Sequence, residues 1–445
     1  MPSTPQLNAG PNNNITNVTS ITLSSMMSGG NSSAASGSAG AGSSGSSSST
    51  NAADAGTQIS TFRSYVSMLT DPACKDENKL KAAQAVSEDL EGIALSSNYG
   101  PFLEHSIVIF LKILNESEPQ FIAEHHQQQL RKLVLEMIHR LPSNEYLKPH
   151  LKPILALCFR LLRIDNEENV MVALRIIIEL HRTFRPQFTP ETAAQIREFL
   201  TFVKSMYSDL PNHLTKIFEP RQSPRVADLS EVNLERLLNE SFAITPIHTE
   251  KKQNDDTPIT YNLIPRAVLS LKVLTELPII VVLLLQLYKE HVYQEVVEFI
   301  PLIMNTITIQ PIQRENENFN KEVFVDLIAA QIKILSFLAY IIKTFQDRVV
   351  QHCDKLVQGM LQLLTLCPSE VAHLRKELLI ATKHILALEL RVKFVPHIDR
   401  LFDENLLFGS GWTAHETLRP LAYSTLADLV HHVRSKLNLH ALTRA

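Results

Sequence analysis

Glycine is almost absent from the body of this chain. Eight of its 13 glycines lie within the first 57 residues, and the rest of the 445 holds only Gly92, Gly100, Gly359, Gly409 and Gly411. A sheet needs glycine in its tight turns, and a nucleotide-binding loop needs it where backbone must approach phosphate closely. Helices joined by short turns need neither. Proline shows the opposite distribution: Pro101, Pro119, Pro142, Pro186, Pro211, Pro301, Pro368 and Pro420 recur through the body at spacings that suit helix ends. Thr189-Pro190-Glu191 reads as an N-cap, a proline at the first helical position and an acidic first turn.

Between these marks the apolar period is helical. Over 165–184 the charges Arg175, Glu179 and Arg182 fall at i, i+4 and i+7 on one narrow stripe, while aliphatic residues such as Val172, Leu174, Ile176 and Ile177 fill the remainder. A helix with so thin a polar stripe is sandwiched between neighbours on two sides, as in stacked helix pairs. Residues 323–342 have the same make-up. Leu130-Arg131-Lys132, Leu174-Arg175 and Leu374-Arg375-Lys376 each precede an aliphatic run that ends at or near a histidine, a weak internal repeat. Two helices per roughly 40 residues is the HEAT/armadillo period. The expected fold is all-α, a HEAT/armadillo-like α-solenoid with a disordered N-terminal tail.

The tail is residues 1–57, rich in Ser, Asn and Gly with hardly a charge, which cannot bury enough apolar area to offset its ordering entropy. Helical repeats are expected over 58–218 and 263–445, with essentially no strand. Between them, 219–262 carries Pro220, Pro224, Pro246 and Pro258 and is expected to be a long irregular excursion with a short helix near 229–238. A shorter loop is expected over 311–320. The apolar run Leu277–Leu285 (LPIIVVLLL) falls short of the about 20 residues a bilayer needs and reads as a buried core helix.

With 44% hydrophobic and 20% charged residues the chain can bury a large core. A formal net charge of -4, with both signs interspersed, argues against a dedicated nucleic-acid binder. Cys74, Cys158, Cys353 and Cys367 are far apart and form no CxxC pair, so reduced thiols in the cytosol or nucleus are expected. No basic segment followed by an apolar one opens the chain, so the sequons at Asn14, Asn17, Asn31, Asn115 and Asn239 are expected to stay unglycosylated.

The phosphate-binding, zinc-protease, nucleophile-elbow and kinase motifs are all missing. Gly409-Ser410-Gly411 is a lone Gly-x-Gly and reads as a turn between two helices. His125-His126, His431-His432 and His352-Cys353 are adjacent pairs, and neighbours on a helix point about 100° apart, so a pair does not share one metal easily. No catalytic residue, metal, cofactor or small-molecule ligand is expected. The charges that stand out are Arg131, Lys132, Arg375 and Lys376: at matching repeat positions they would line a groove for an acidic partner segment, or else be ordinary solvated helix faces. Ser223-Pro224 is a candidate phosphorylation site, with an unmodified loop serine as the plainer reading.

Several long segments resemble a known family. They include QLRKLVLEMIHRLPSNE (129–145), NEENVMVALRIIIELHRTFRP (166–186), LKVLTELPIIVVLLLQLYK (271–289), LRKELLIATKHIL (374–386) and GSGWTAHETLRPLAYSTLADLVHHVR (409–434). In order, from about residue 60 onward, they are similar to the N-terminal HEAT-repeat region of the transformation/transcription domain-associated family, the pseudokinase branch of the phosphatidylinositol-3-kinase-related kinases. The resemblance implies a nuclear, non-catalytic scaffold in a transcription coactivator, a histone acetyltransferase complex of the SAGA kind. It implies other complex subunits and acidic transcription activators as partners, with no direct nucleic-acid, membrane or small-molecule contact. It carries over no functional residue, because the matched segments are structural. The chain ends after what reads as a finished helix, as a piece of a longer protein would. Periodicity alone leaves open a helical-repeat scaffold or transport receptor of another family.

Overall fold

Side-chain caps mark where loop becomes helix. Asn166, Thr189, Ser270 and Asn320 each accept a hydrogen bond from the backbone N–H three residues on, at 3.0, 3.3, 3.0 and 3.2 Å. Each cap satisfies one N–H that the helix itself leaves orphaned. Thr189 thus caps as its sequence context predicts. The helix beginning after Asn166 stops at Arg185, which takes a left-handed φ of 45° and is followed by Pro186.

The computed structural model describes residues 62–213, 224–226, 229–249, 259–311, 319–368, 371–408 and 418–437. Residues 1–57, Ser223 and Gly409-Ser410-Gly411 lie outside the described residues. The first half has α1 (Asp76–Ala94), α2 (Tyr99–Glu116), α3 (His126–Arg140), α4 (Leu151–Ile164), α5 (Glu167–Phe184) and α6 (Pro190–Asp209). Next come α7 (Glu231–Leu238), α8 (Leu271–Leu287), α9 (Lys289–Val297), α10 (Phe299–Ile307), α11 (Lys321–Ile341) and α12 (Gln346–Val350). The last are α13 (Cys353–Leu366), α14 (Ala372–Leu386), α15 (Ile398–Leu401), α16 (Glu404–Phe408) and α17 (Arg419–Val433).

These helices form two rows. One row stacks α1, α3, α5, α8, α11, α14 and α17, each against the next. The other runs α2, α4, α6, α10, α13 and then the 3-10 stretch Glu389–His397. The chain alternates between rows, so each helix pair buries its apolar faces between neighbouring pairs, as a HEAT solenoid does. One continuous core runs from Phe62 to Val433. Every residue of Leu277–Leu285 is buried, with α8 packed between α5 and α11. Helix α11 is long and apolar enough to cross a membrane, but 72% of its apolar window is already buried in protein.

The described residues between α6 and α8 include regular structure beyond the one short helix expected there. Besides α7, they hold β1 (Arg225–Val226), β2 (Thr245–Thr249) and β3 (Ile259–Leu263), with β1 parallel and β3 antiparallel to β2. The expectation of essentially no strand misses this sheet. Leu238, Ile247 and Leu263 make its small separate core, with Phe121 of the α2–α3 connection packed against it. The chain then laces back across two repeat turns. Ile264 N–H donates to Phe121 O at 2.7 Å, Ala123 N–H to Asn262 O at 2.9 Å, and Glu167 N–H to Pro265 O at 2.9 Å. An insertion between α6 and α8 is therefore tied to the turns before α3 and α5.

Candidate functional site: buried repeat turns and an open cleft

Two of the four basic residues picked out from the sequence are inside the protein. Arg131 has no exposed surface and Arg375 retains 2%. Arg131 Nη1 donates to Ser117 O at 2.7 Å and to Ser117 Oγ at 2.6 Å, at the end of α2, while its Nη2 pairs with the buried Asp165 carboxylate. Arg375 Nη1 donates to Leu364 O at 2.7 Å and Leu406 O at 2.8 Å, and Nη2 to Cys367 O at 2.9 Å. Both guanidinium groups sit at the C-terminus of the preceding helix in the other row, where carbonyls are unpaired and the helix dipole favours a cation. Neither can line a groove for a partner, and this corrects the docking reading for these two. Burial also pulls the Arg375 guanidinium below its ordinary range. The repeat of Leu-Arg-Lys is real, but it records equivalent internal caps. Arg175, the third apparent copy, is exposed and makes no such cap.

The lysines of the two motifs do reach the surface. Lys132 Nζ lies 3.0 Å from Glu168, with 40% of its side chain exposed. Lys376 is exposed on α14. These two stand on separate helices, with α5, α8 and α11 between them in the row.

Asp165 is the centre of a network the sequence did not suggest. Its Oδ1 accepts from Asn166 N–H and from Asn169 Nδ2, both at 2.9 Å. Gln128 Oε1 accepts from Asn166 Nδ2 at 2.7 Å and Asn169 Nδ2 at 3.0 Å. Glu167 continues the chain to α8 by accepting from Ser270 Oγ at 2.6 Å and pairing with Lys272 at 3.4 Å. Buried polar groups are tolerated when they are paired, and here the pairing fixes α3, α5 and α8 in register. The run Asp165-Asn166-Glu167-Glu168-Asn169 was legible only as a polar helix start.

Lys272 also faces Asp326 of α11. Burial is the main cause that pushes the Asp326 carboxyl up to about 6; Lys272 opposes the shift, and Glu167 and Glu322 add to it. The fold favours the protonated form, so stability from this group is present below the unfolded value and is lost as pH rises through about 6. Asp326→Asn is expected to flatten that fall and to stabilise the protein by on the order of 1 kcal/mol near neutral pH. Urea denaturation at about pH 5 and about pH 7.5 checks this. An unchanged pH slope in the variant would remove Asp326 as its source.

Among the described residues no three His, Cys, Asp or Glu side chains are grouped to hold a metal ion. His125 acts as an N-cap, its Nδ1 accepting from Gln127 N–H at 3.3 Å. His431 and His432 are exposed, with their rings 5.2 Å apart.

An open cleft of about 860 Å³ lies in the second half between α13 and the stretch that ends the 3-10 segment. Asp354, Gln358, Gln362 and Thr365 line one wall, and Lys393, His397 and Arg400 the other. Val357, Leu361 and Phe324 form a buried apolar floor. Among the described residues the only carboxylate on its lining is Asp354.

Comparison with known proteins agrees with this architecture. A family model described as the Tra1 HEAT repeat central region matches residues 323–445. "Transcription-associated protein 1" of Drosophila melanogaster is 54% identical over 388 residues, covering 87% of this chain and 10% of that protein. The human "Transformation/transcription domain-associated protein" is 52% identical over 394 residues, covering 88% and 10%. The Saccharomyces cerevisiae "SAGA complex/NuA4 acetyltransferase complex subunit TRA1" is 30% identical over 410 residues, covering 85% and 11%. A solved engineered protein aligns at 12% identity with a TM-score of 0.23, which carries no argument. The chain thus spans about a tenth of the length of these relatives. By these matches the chain belongs to the Tra1 and transformation/transcription domain-associated family, as a HEAT-repeat segment of it.

Proposed function

We propose that this chain is a non-catalytic scaffold segment of a nuclear transcription coactivator, holding subunits of a histone acetyltransferase complex and offering surface to transcription activators. The observation that carries this reading is the match at 52–54% identity across seven-eighths of the chain to transcription-associated relatives. The yeast relative's name places that protein in the SAGA and NuA4 acetyltransferase complexes. The architecture supports the same reading. The interior is filled by packed aliphatic side chains and internal caps, and what the two rows present outward is a long helical surface. Such a surface binds through many small contacts spread over repeats rather than through one deep site.

Affinity purification of the tagged chain from nuclear extract, read by mass spectrometry, tests the proposal. Acetyltransferase-complex subunits are expected to co-purify above a control solenoid of similar length. Their absence, in an experiment where a full-length relative recovers them, would place the partner surfaces outside this segment.

A further inference from the structure

In a solenoid each helix pair contacts the pairs beside it, and small rotations at successive interfaces add up to bending. The pairs α2/α3, α4/α5 and α6/α8 follow one another, so by that rule the third meets the second and not the first. The arm that returns from β3 into α8, residues 259–270, departs from the rule and reaches both earlier turns. At the α2–α3 turn, Asn262 O accepts from Ala123 N–H at 2.9 Å, and Ile264 N–H donates to Phe121 O at 2.7 Å. Asn262 also donates its backbone N–H and its Nδ2 to the two carboxylate oxygens of Glu124, at 2.9 and 2.7 Å. At the α4–α5 turn, Glu167 N–H donates to Pro265 O at 2.9 Å and Ala267 N–H to Asp165 O at 3.1 Å. Ser270 Oγ then donates to Glu167 at 2.6 Å, where the arm becomes α8. Arg266 lies between the two turns. Its guanidinium is 5.2 Å from the centre of the Phe121 ring and pairs with Glu235 of α7.

We propose that residues 259–270 act as a strap that locks three consecutive helix pairs into one rigid block. Packed helices stand about 8–10 Å apart, and bending between adjacent pairs opens or closes the spacing of their turns. A segment bonded to the turns of the first and second pairs, and continuous with the third, fixes that spacing. The strap has its own folded base. Its first half is β3, paired along its whole length with β2, and Leu263 sits in the small core with Leu238 and Ile247. The fasteners Glu124 and Asn262 are at the surface, so they hold the turns together without being part of the main core. A carboxylate accepting from two N–H groups makes the stronger kind of hydrogen bond, which suits it to a load-carrying point.

The test uses the whole chain carrying Cys74→Ser, with spin labels at Glu104→Cys on α2 and Ser208→Cys on α6, both exposed positions. Electron–electron distance measurement should give a narrow distribution across the strapped pairs. Glu124→Ala with Arg266→Ala should widen that distribution. Hydrogen exchange on the same variant should speed up about tenfold at Ala123 and Ile264, the scale of losing a charge-assisted hydrogen bond nearby. Amides at Ile177 and Ile280, in the middle of α5 and α8, should stay within about twofold of the parent, because the substituted side chains do not touch them. His248→Ala with Thr260→Ala is the control. These two side chains bond to each other at 2.9 Å on the sheet and make no part of the fastening described above, so both readouts should match the parent.

An unchanged distance distribution in the Glu124/Arg266 variant would overturn the proposal, since the turns would then keep their spacing without the strap. Faster exchange at Ile177 and Ile280, to the same degree as at the turns, would also overturn it, by showing a general loss of stability in place of a released lock. Equal widening in the His248/Thr260 control would assign the effect to the sheet and not to the strap. Widening confined to the Glu124/Arg266 variant, with the helix centres still protected, is the result that supports it.

Discussion

Arg131→Ala is expected to destabilise the first half of the solenoid by about 3–5 kcal/mol, the usual consequence of removing one member of a buried ion pair. Asp165 has no exposed surface on its side chain, and among the described residues Arg131 is its ion-pair partner, with the Arg160 guanidinium, held on Leu114 O, close enough to interact but not to pair. Without Arg131 the carboxylate stays buried beside Asn166 and Asn169, which supply hydrogen bonds but no charge. The end of α2 also loses the donor that serves Ser117. Arg375→Ala should cost less, about 1–3 kcal/mol, because it strands carbonyl acceptors and no anion. Arg131→Met combined with Asp165→Leu should recover much of the loss, since an uncharged pair of similar volume has no desolvated charge to compensate. Urea denaturation followed by circular dichroism, with amide exchange to localise the effect, separates these cases. Equal costs for Arg131→Ala and Arg375→Ala would mean that the ion pair adds nothing beyond carbonyl capping.

The positions of these arginines show where a sequence is informative and where it was underread. Arg131 precedes Val134, Leu135 and Ile138 at i+3, i+4 and i+7, and Arg375 precedes Leu378, Leu379 and Thr382 in the same way. All six followers are buried. The helical period therefore places both arginines on the apolar face and turns Lys132 and Lys376, one residue on, towards solvent. Charge type suggested a surface, and spacing contradicted it; spacing is what the fold obeys. The all-α stack was legible for the same reason, because long aliphatic runs with thin polar stripes have few other solutions.

The sheet was less accessible. Thr245–Thr249 and Ile259–Leu263 are five residues each, and they pair with each other and with the α2–α3 connection across more than a hundred residues of chain. Short strands held by distant partners leave little local trace beyond a few β-branched residues. The cleft was invisible for a related reason. Its walls come from α13 and from the stretch around Lys393–Arg400, and its floor includes Phe324 of α11. No local pattern brings those three together.

Ile280→Asp should be the most damaging single change in the second half. Ile280 has no exposed surface and lies at the middle of α8, which packs against α5 on one side and α11 on the other. Aspartate there would have to stay charged without a partner or take up a proton, and either choice costs several kcal/mol. Glu276, one turn earlier on the same helix, shows the tendency: burial is the main cause that raises its carboxyl above the ordinary range, even with Lys333 and Arg175 nearby to oppose the shift. Pro278, inside the same helix, already removes one backbone donor, so α8 has less of its own hydrogen bonding to fall back on. Ile280→Val removes a single methylene and should cost only about 0.5–1.5 kcal/mol, which makes it the control for volume alone. In a stack, each pair is stabilised chiefly by its neighbours, so loss of amide protection should spread from α8 into α5 and α11 before it reaches α1 and α2. Hydrogen exchange on the purified chain reads that gradient directly. Uniform loss of protection along the chain would show that the solenoid unfolds as one cooperative unit. A melting temperature indistinguishable from that of Ile280→Val would mean that α8 is not the core helix its burial describes.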